Sequence, residues 1–203
     1  MSFKVEITDN IAQGFEVFDK LKKNEVFRAA RTSINRTLTT LRKESVLEIK
    51  KEMRIQSSLL KNKYIWIEKA SGKGLRALSG SVVYQSRGLQ LIDFVRGAKA
   101  VTPQKGIPVK RRKKTRVEIT PGKRFVVKSG FIQKTASKGL QVMKPGKVRG
   151  HLMMQTAPSL GALLLNEKKK VGARLQERGA QVFQVNFSRE LNFRLQRLLS
   201  KVK

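Results

Sequence analysis

The apolar residues Phe27, Ala30, Ile34, Leu38, Leu41, Ile49 and Met53 recur at steps of three and four, with Ser45 in the one polar gap of the series. That period places them on one face of a helix running from the mid-twenties to the early fifties. Its length is near 40 Å at ~1.5 Å per residue. Asn24 is placed to cap it, Glu25 lies in its first turn, and Lys50, Lys51 and Arg54 lie near its end, the polarity that the helix dipole favours. Ahead of it, Phe3, Val5 and Ile7 alternate with polar neighbours and predict a short strand, followed by an Asp9/Asn10 cap and a helix to about Lys22.

After the long helix the period changes. Ser57 and Ser58 can cap a short turn of helix through Lys61. The runs Tyr64–Ile67, Val82–Gln85, Leu89–Ile92, Val117–Ile119, Phe125–Val127, Phe131–Ile132 and Leu140–Val142 are then short, apolar and separated by Gly, Pro, Ser and Lys. They predict an antiparallel, partly open β region in which Tyr64, Trp66 and Tyr84 serve as sheet core. Pro158-Ser159 introduces a second helical stretch, with Ser159 as its cap and Val171, Leu175, Val182, Leu191, Leu195, Leu198 and Val202 at roughly helical spacing. Gly172 and Gly179 weaken that helix by about 1 kcal/mol each relative to Ala. The fold class is therefore α+β: a long N-terminal and a long C-terminal helix packed with a central antiparallel β region that carries a basic hairpin or loop. No constant-period repeat and no proline-rich linker divides the chain, so residues 1–203 are read as one structural unit. Its parts are 1–60 (strand and helices), 61–155 (basic β region) and 156–203 (helical).

Charge narrows the functional classes. The 203 residues carry 45 Lys plus Arg against 14 Asp plus Glu, a net +31. Residues 1–60 hold 12 basic and 8 acidic side chains, whereas residues 61–151 hold 23 and 3. A solubilising surface interleaves both signs, so a segment this poor in carboxylates calls for anions from outside. With no Cys and a single His, His151, disulfides, thiolate metal sites and multi-histidine metal sites are excluded. The run Leu160–Leu165 is far short of the ~20 apolar residues of a membrane span. The N-terminus lacks the apolar block of a secretory signal, so a cytoplasmic product is the expectation.

The densest feature is Lys110-Arg111-Arg112-Lys113-Lys114, with Arg116 just beyond and Lys123-Arg124 after a Pro121-Gly122 turn. Flanked by strands, it predicts the tip and shoulders of a basic hairpin or loop whose cations lie along phosphates. Aromatics are only 6% of the chain, which leaves backbone-directed, sequence-indifferent contact rather than base stacking. Gly72-Lys73-Gly74-Leu75-Arg76-Ala77 matches a dinucleotide pattern loosely, but strand-forming residues follow it where a helix is required. Glu68, Asp93 and Glu118 are too sparse for a two-metal nuclease site and read as partners of neighbouring lysines. Met143, Met153 and Met154 read as gap-filling core or interface residues. Neither a catalytic residue nor a metal ligand or cofactor is expected.

The order of these features carries a resemblance. A long first helix containing Ala29-Ala30 and Ser33-Ile34-Asn35-Arg36-Thr37, the basic run at 110–116, a Gly130-Phe131-Ile132-Gln133 strand, a Lys147-Val148-Arg149 turn, and Pro158-Ser159-Leu160 leading to a long last helix together resemble the minor tail protein Z family of tailed phages and prophages. The family tends to place a proline and an apolar residue after the basic turn, where this chain has Gly150-His151-Leu152. The resemblance implies a non-catalytic virion protein of the tail or neck, present in the host cytoplasm during assembly, that completes the tail at its head-proximal end. Its implied partners are tail terminator and tail tube proteins, head–tail connector proteins and, non-specifically, phage genomic DNA. It also implies a homo-oligomeric ring, sixfold like the tail, for which Leu191, Leu195 and Leu198 are the expected interface. A ribosomal or nucleoid-type nucleic-acid-binding protein shares the size and charge and is the alternative; the near-neutral first 60 residues and the dearth of stacking aromatics speak against it.

Overall fold

In the computed structural model, residues 3–6, 23–72, 75–95, 115–135, 139–147 and 151–200 are described. The expected helix before Lys22 and the run Lys110–Lys114 lie outside them. The long helix, α1 (Lys23–Glu52), has the face that the sequence predicts: Ala30, Ile34, Leu38, Leu41, Ile49 and Met53 are all buried, and Phe27 is half-buried. The polar gap in the series is buried too. Ser45 Oγ bonds back to the Leu41 carbonyl at 2.7 Å and meets the Tyr84 hydroxyl at 2.6 Å, so this hydroxyl enters the core with partners.

After α1 the chain makes one short helical turn, α2 (Ser57–Leu59), which runs into a π turn at Leu60–Tyr64. Gln56 holds the cap position there, without a side-chain bond, so Ser57 and Ser58 lie inside the turn rather than capping it. Three antiparallel strands form a sheet, β1 (Phe3–Glu6), β2 (Ile65–Ser71) and β3 (Ser79–Tyr84), with β3 in the middle, and its strands β2 and β3 lie against α1. Val82 and Tyr84 of β3, with Ile65 of β2, belong to the same core as α1. β3 can lie this close because Gly80 has no side chain; a Cβ there would stand 2.8 Å from Leu38 Cδ1 and 3.1 Å from the Ala70 nitrogen. Trp66, expected in the sheet core, is 44% exposed. Strand alternation explains the difference: Ile65 faces α1, so its neighbour must face outward.

The remaining strands form three small antiparallel units: β4 (Leu89–Gln90) with β10 (Thr156–Ala157), β5 (Arg116–Glu118) with β6 (Arg124–Val126), and β7 (Phe131–Thr135), β8 (Gly139–Pro145) and β9 (Leu152–Met154) in that order. β9 and β10 are not among the runs that the apolar pattern predicts as strands, and the run at Leu91 turns into a 3-10 helix, Leu91–Phe94, rather than continuing as strand. Ser159 caps α3 (Leu160–Leu164) as expected, accepting from the Ala162 amide at 3.1 Å. The last helix, α4 (Val171–Leu199), packs antiparallel along α1. Gly172 and Gly179, which read as weak points, are both buried; a Cβ on Gly179 would meet Leu41 Cδ1 at 3.1 Å, so this glycine sets how closely the two helices approach. The α+β class, with its two long helices and small antiparallel sheets, is thus what the chain adopts.

Candidate nucleic-acid interface

A tight turn makes the basic hairpin. The Lys123 amide donates to the Thr120 carbonyl at 3.0 Å, and Gly122, at φ +79°, occupies the left-handed position that follows Pro121 in a type II turn. The strands it joins pair Arg116 with Val126 and Glu118 with Arg124. Glu118 is buried, and three groups satisfy it: Arg54 from the end of α1, Arg124 Nε at 3.1 Å, and the Gly122 amide at 3.0 Å. The Arg54 hydrogen bond, helped by the Gly122 amide, holds its carboxyl well below the ordinary 4.5, at about 2. The Arg54 amide also donates to the Ile119 carbonyl at 2.7 Å, so backbone and side chain together fasten the hairpin to the segment that follows α1.

The eight cations expected at this site therefore divide. Lys110, Arg111, Arg112, Lys113 and Lys114 fall outside the described residues. Arg116 and Lys123 are exposed and have no ion-pair partner among the described residues, whereas Arg124 is tied to Glu118 and holds the hairpin together. Sequence reasoning missed Lys128, Lys134, Lys144 and Lys147, all exposed on or beside β6 to β8. The signal was available: between Glu118 and Glu167 the chain contains no Asp or Glu. Phe125, half exposed beside Arg124, also gives this hairpin an aromatic surface.

Most other described carboxylates are engaged elsewhere. Glu25, Glu44, Glu48 and Glu52 of α1 meet Arg194, Arg178, Arg174 and Lys169 at 2.6, 3.2, 3.0 and 2.5 Å along the antiparallel pair. Glu190 of α4 reaches back to Arg36, and Asp93 binds Lys63 at 3.1 Å and the Tyr64 hydroxyl. Glu25 is held below its ordinary pKa chiefly by its bond to Arg194, and Glu48 chiefly by its bond to Lys51. The segment Ser33–Thr37 belongs to the same seam. Ser33 Oγ donates to the Asn186 carbonyl, Thr37 Oγ1 accepts from Asn186 Nδ2, and Asn35 Oδ1 accepts the Ala70 amide at the irregularity in β2. Leu191, Leu195 and Leu198, expected at a subunit interface, pack against Val26 within the chain and are half-buried. The large apolar side chains that α4 leaves exposed are Val185, Phe193 and Leu199.

No family model matches the chain, and no curated protein or solved structure does. Among the described residues no group of three or more His, Asp or Glu side chains could hold a metal ion. Among the same residues, no helix is long and apolar enough to cross a membrane. What the site offers chemically is a set of exposed ammonium and guanidinium groups on a braced hairpin and its neighbouring sheet, an arrangement for charge-assisted contact with anions.

Proposed function

We propose that this chain is a structural virion protein of a tailed phage, completing the tail at its head-proximal end and supporting head–tail joining. In this reading its basic β half seats the end of the genome through sequence-indifferent phosphate contacts. The observation that carries it is the division of charge: Glu25, Glu44, Glu48 and Glu52 of α1 are matched to α4 and to Lys169 just before it, while Arg116, Lys123, Lys128, Lys134, Lys144 and Lys147 face outward without an ion-pair partner among the described residues. Cations left in that state attract a polyanion and do not discriminate its sequence. The resemblance of feature order to the minor tail protein Z family supplies the location, the terminator, tube and connector proteins as neighbours, and a sixfold ring of copies of this chain.

Replacing Lys110, Arg111, Arg112, Lys113 and Lys114 with Gln tests the DNA role. The logarithm of duplex affinity plotted against the logarithm of salt concentration should flatten by ~0.9 for each phosphate contact removed. An unchanged slope would remove DNA from the role of this run.

A further inference from the structure

The outermost strand of the second three-stranded sheet, β9, is built unlike a solvent-facing edge. Its three residues are Leu152, Met153 and Met154, 43, 56 and 37% exposed, so apolar side chains stand open on both faces. Natural edge strands are guarded by charge, proline, a bulge or shortness; β9, at three residues, has only the last. Its ladder to β8 fixes the direction of each backbone group. The Gly146 amide donates to the His151 carbonyl at 2.8 Å and the Gln155 amide to the Val142 carbonyl at 2.9 Å, so those are hydrogen-bonded pairs. Antiparallel pairs alternate. Lys144 with Met153 is thus hydrogen-bonded, while Met143 with Met154 and Pro145 with Leu152 are not. Pro145, which has no N–H, stands where none is needed. The N–H and C=O groups of Leu152 and Met154 accordingly point away from β8, and no described residue receives them.

We infer that β9 is a docking edge for an extended segment of another protein, one that alternates apolar with acidic residues and adds to the sheet as a further strand. Outward amide and carbonyl groups in alternation match a polypeptide backbone; a phosphate backbone offers no donor to the carbonyls. The surroundings set the sign of the partner. Lys144 faces Met153 across the ladder, Lys147 follows β8, both are exposed, and the stretch from 119 to 166 contains no carboxylate to neutralise them. A second copy would bring the same uncompensated cations to the contact, so the charge excludes self-pairing and favours an acidic strand. The edge and its charge are the same whether or not the basic hairpin meets DNA.

The test uses the full chain and three probes: a short synthetic peptide alternating Glu with Val and Ile, a scrambled peptide of the same composition, and duplex DNA. The alternating peptide should bind and should slow amide hydrogen exchange at Leu152 and Met154. Leu152→Pro removes an outward N–H without touching the ladder, and Met153→Ser removes apolar surface without changing charge; each should weaken the peptide about tenfold, which is 1.4 kcal/mol, and leave DNA affinity unchanged. Equal binding of the scrambled peptide would reduce the site to charge attraction and overturn the inference. So would slowing of those two amides by DNA, or their protection by self-association as protein concentration rises. The exchange measurement on the unmodified chain decides the matter even if a variant folds poorly.

Discussion

Glu118 accepts from the guanidinium of Arg54 just beyond α1, a guanidinium on its own hairpin and the amide of the turn. One carboxylate therefore holds three pieces of chain, and its lowered pKa ties that hold to pH. A depressed carboxyl contributes stability that is fully present above the ordinary 4.5 and is lost as pH falls toward about 2, because the protonated group no longer attracts Arg54 or Arg124. Amide exchange of Val117 and Phe125 should accelerate as pH falls through that window after correction for intrinsic rates. In Glu118→Gln the same amides should exchange faster already at neutral pH and show little further acid dependence. Glu25 and Glu48 are also held low, so acid loosens the helix seam in both proteins; the difference between the two profiles isolates the hairpin. Parallel profiles would show that Glu118 is not the clasp.

Between elements, the crossing of α1 and α4 is set by what Gly179 lacks. Gly179→Leu would drive a side chain into Leu41 and cost about 1–3 kcal/mol by overpacking, which for a chain of this size lowers Tm by roughly 2–4 °C per kcal/mol. Gly179→Ala should be close to neutral, since the helix gains about 1 kcal/mol in propensity against the crowding at 3.1 Å. A second element-scale outcome concerns assembly. Because Leu191, Leu195 and Leu198 already serve the chain's own packing, serine there would damage the monomer, whereas Phe193, 59% exposed, is free of that role. Phe193→Ser should leave Tm unchanged and reduce oligomer mass in sedimentation if α4 contributes to the ring; unchanged mass would remove this face from it. These two cases also mark how far the sequence is legible. The period of residues 27–53 names the buried face of α1 because a helix that long has one face to bury. The leucines at 191, 195 and 198 reveal a stripe equally well, but not whether their own chain or another covers it. Gly179 reads as a weak point because propensity is local and helix approach is not. Trp66 was within reach, since Ile65 and Ile67 flank it and adjacent residues of a strand face opposite ways. β9 and β10 show no strand pattern of their own, because their partners β8 and β4 decide their conformation. Of the site, the hairpin turn at Pro121-Gly122 was legible, while the clasp that consumes Arg124 depends on Arg54, 64 residues before Glu118.

Across the whole molecule the paired and unpaired charges act in opposite directions on stability. The seam ions are partly exposed, and exposed pairs contribute ~0–1 kcal/mol each, less as salt rises. Against them stands a net charge of +31 on 203 residues, whose mutual repulsion disfavours the compact state and is screened over a Debye length of about 10 Å at 0.1 M salt. At least seven described carboxylates form ion pairs, still too few to outweigh the repulsion among the 45 cations. Tm should therefore rise as sodium chloride increases from low to physiological ionic strength. Duplex DNA at low salt should raise it further, since a ligand at a hundred times its Kd adds about 2.7 kcal/mol when it binds the folded state alone. The two effects should compete, with the increment from DNA shrinking as salt is added, because both act on the same cations. A Tm that falls with salt would place the stability of this protein in its helix seam and not in relief of its own charge. A DNA increment that survives high salt would mean that contacts other than phosphate hold the nucleic acid.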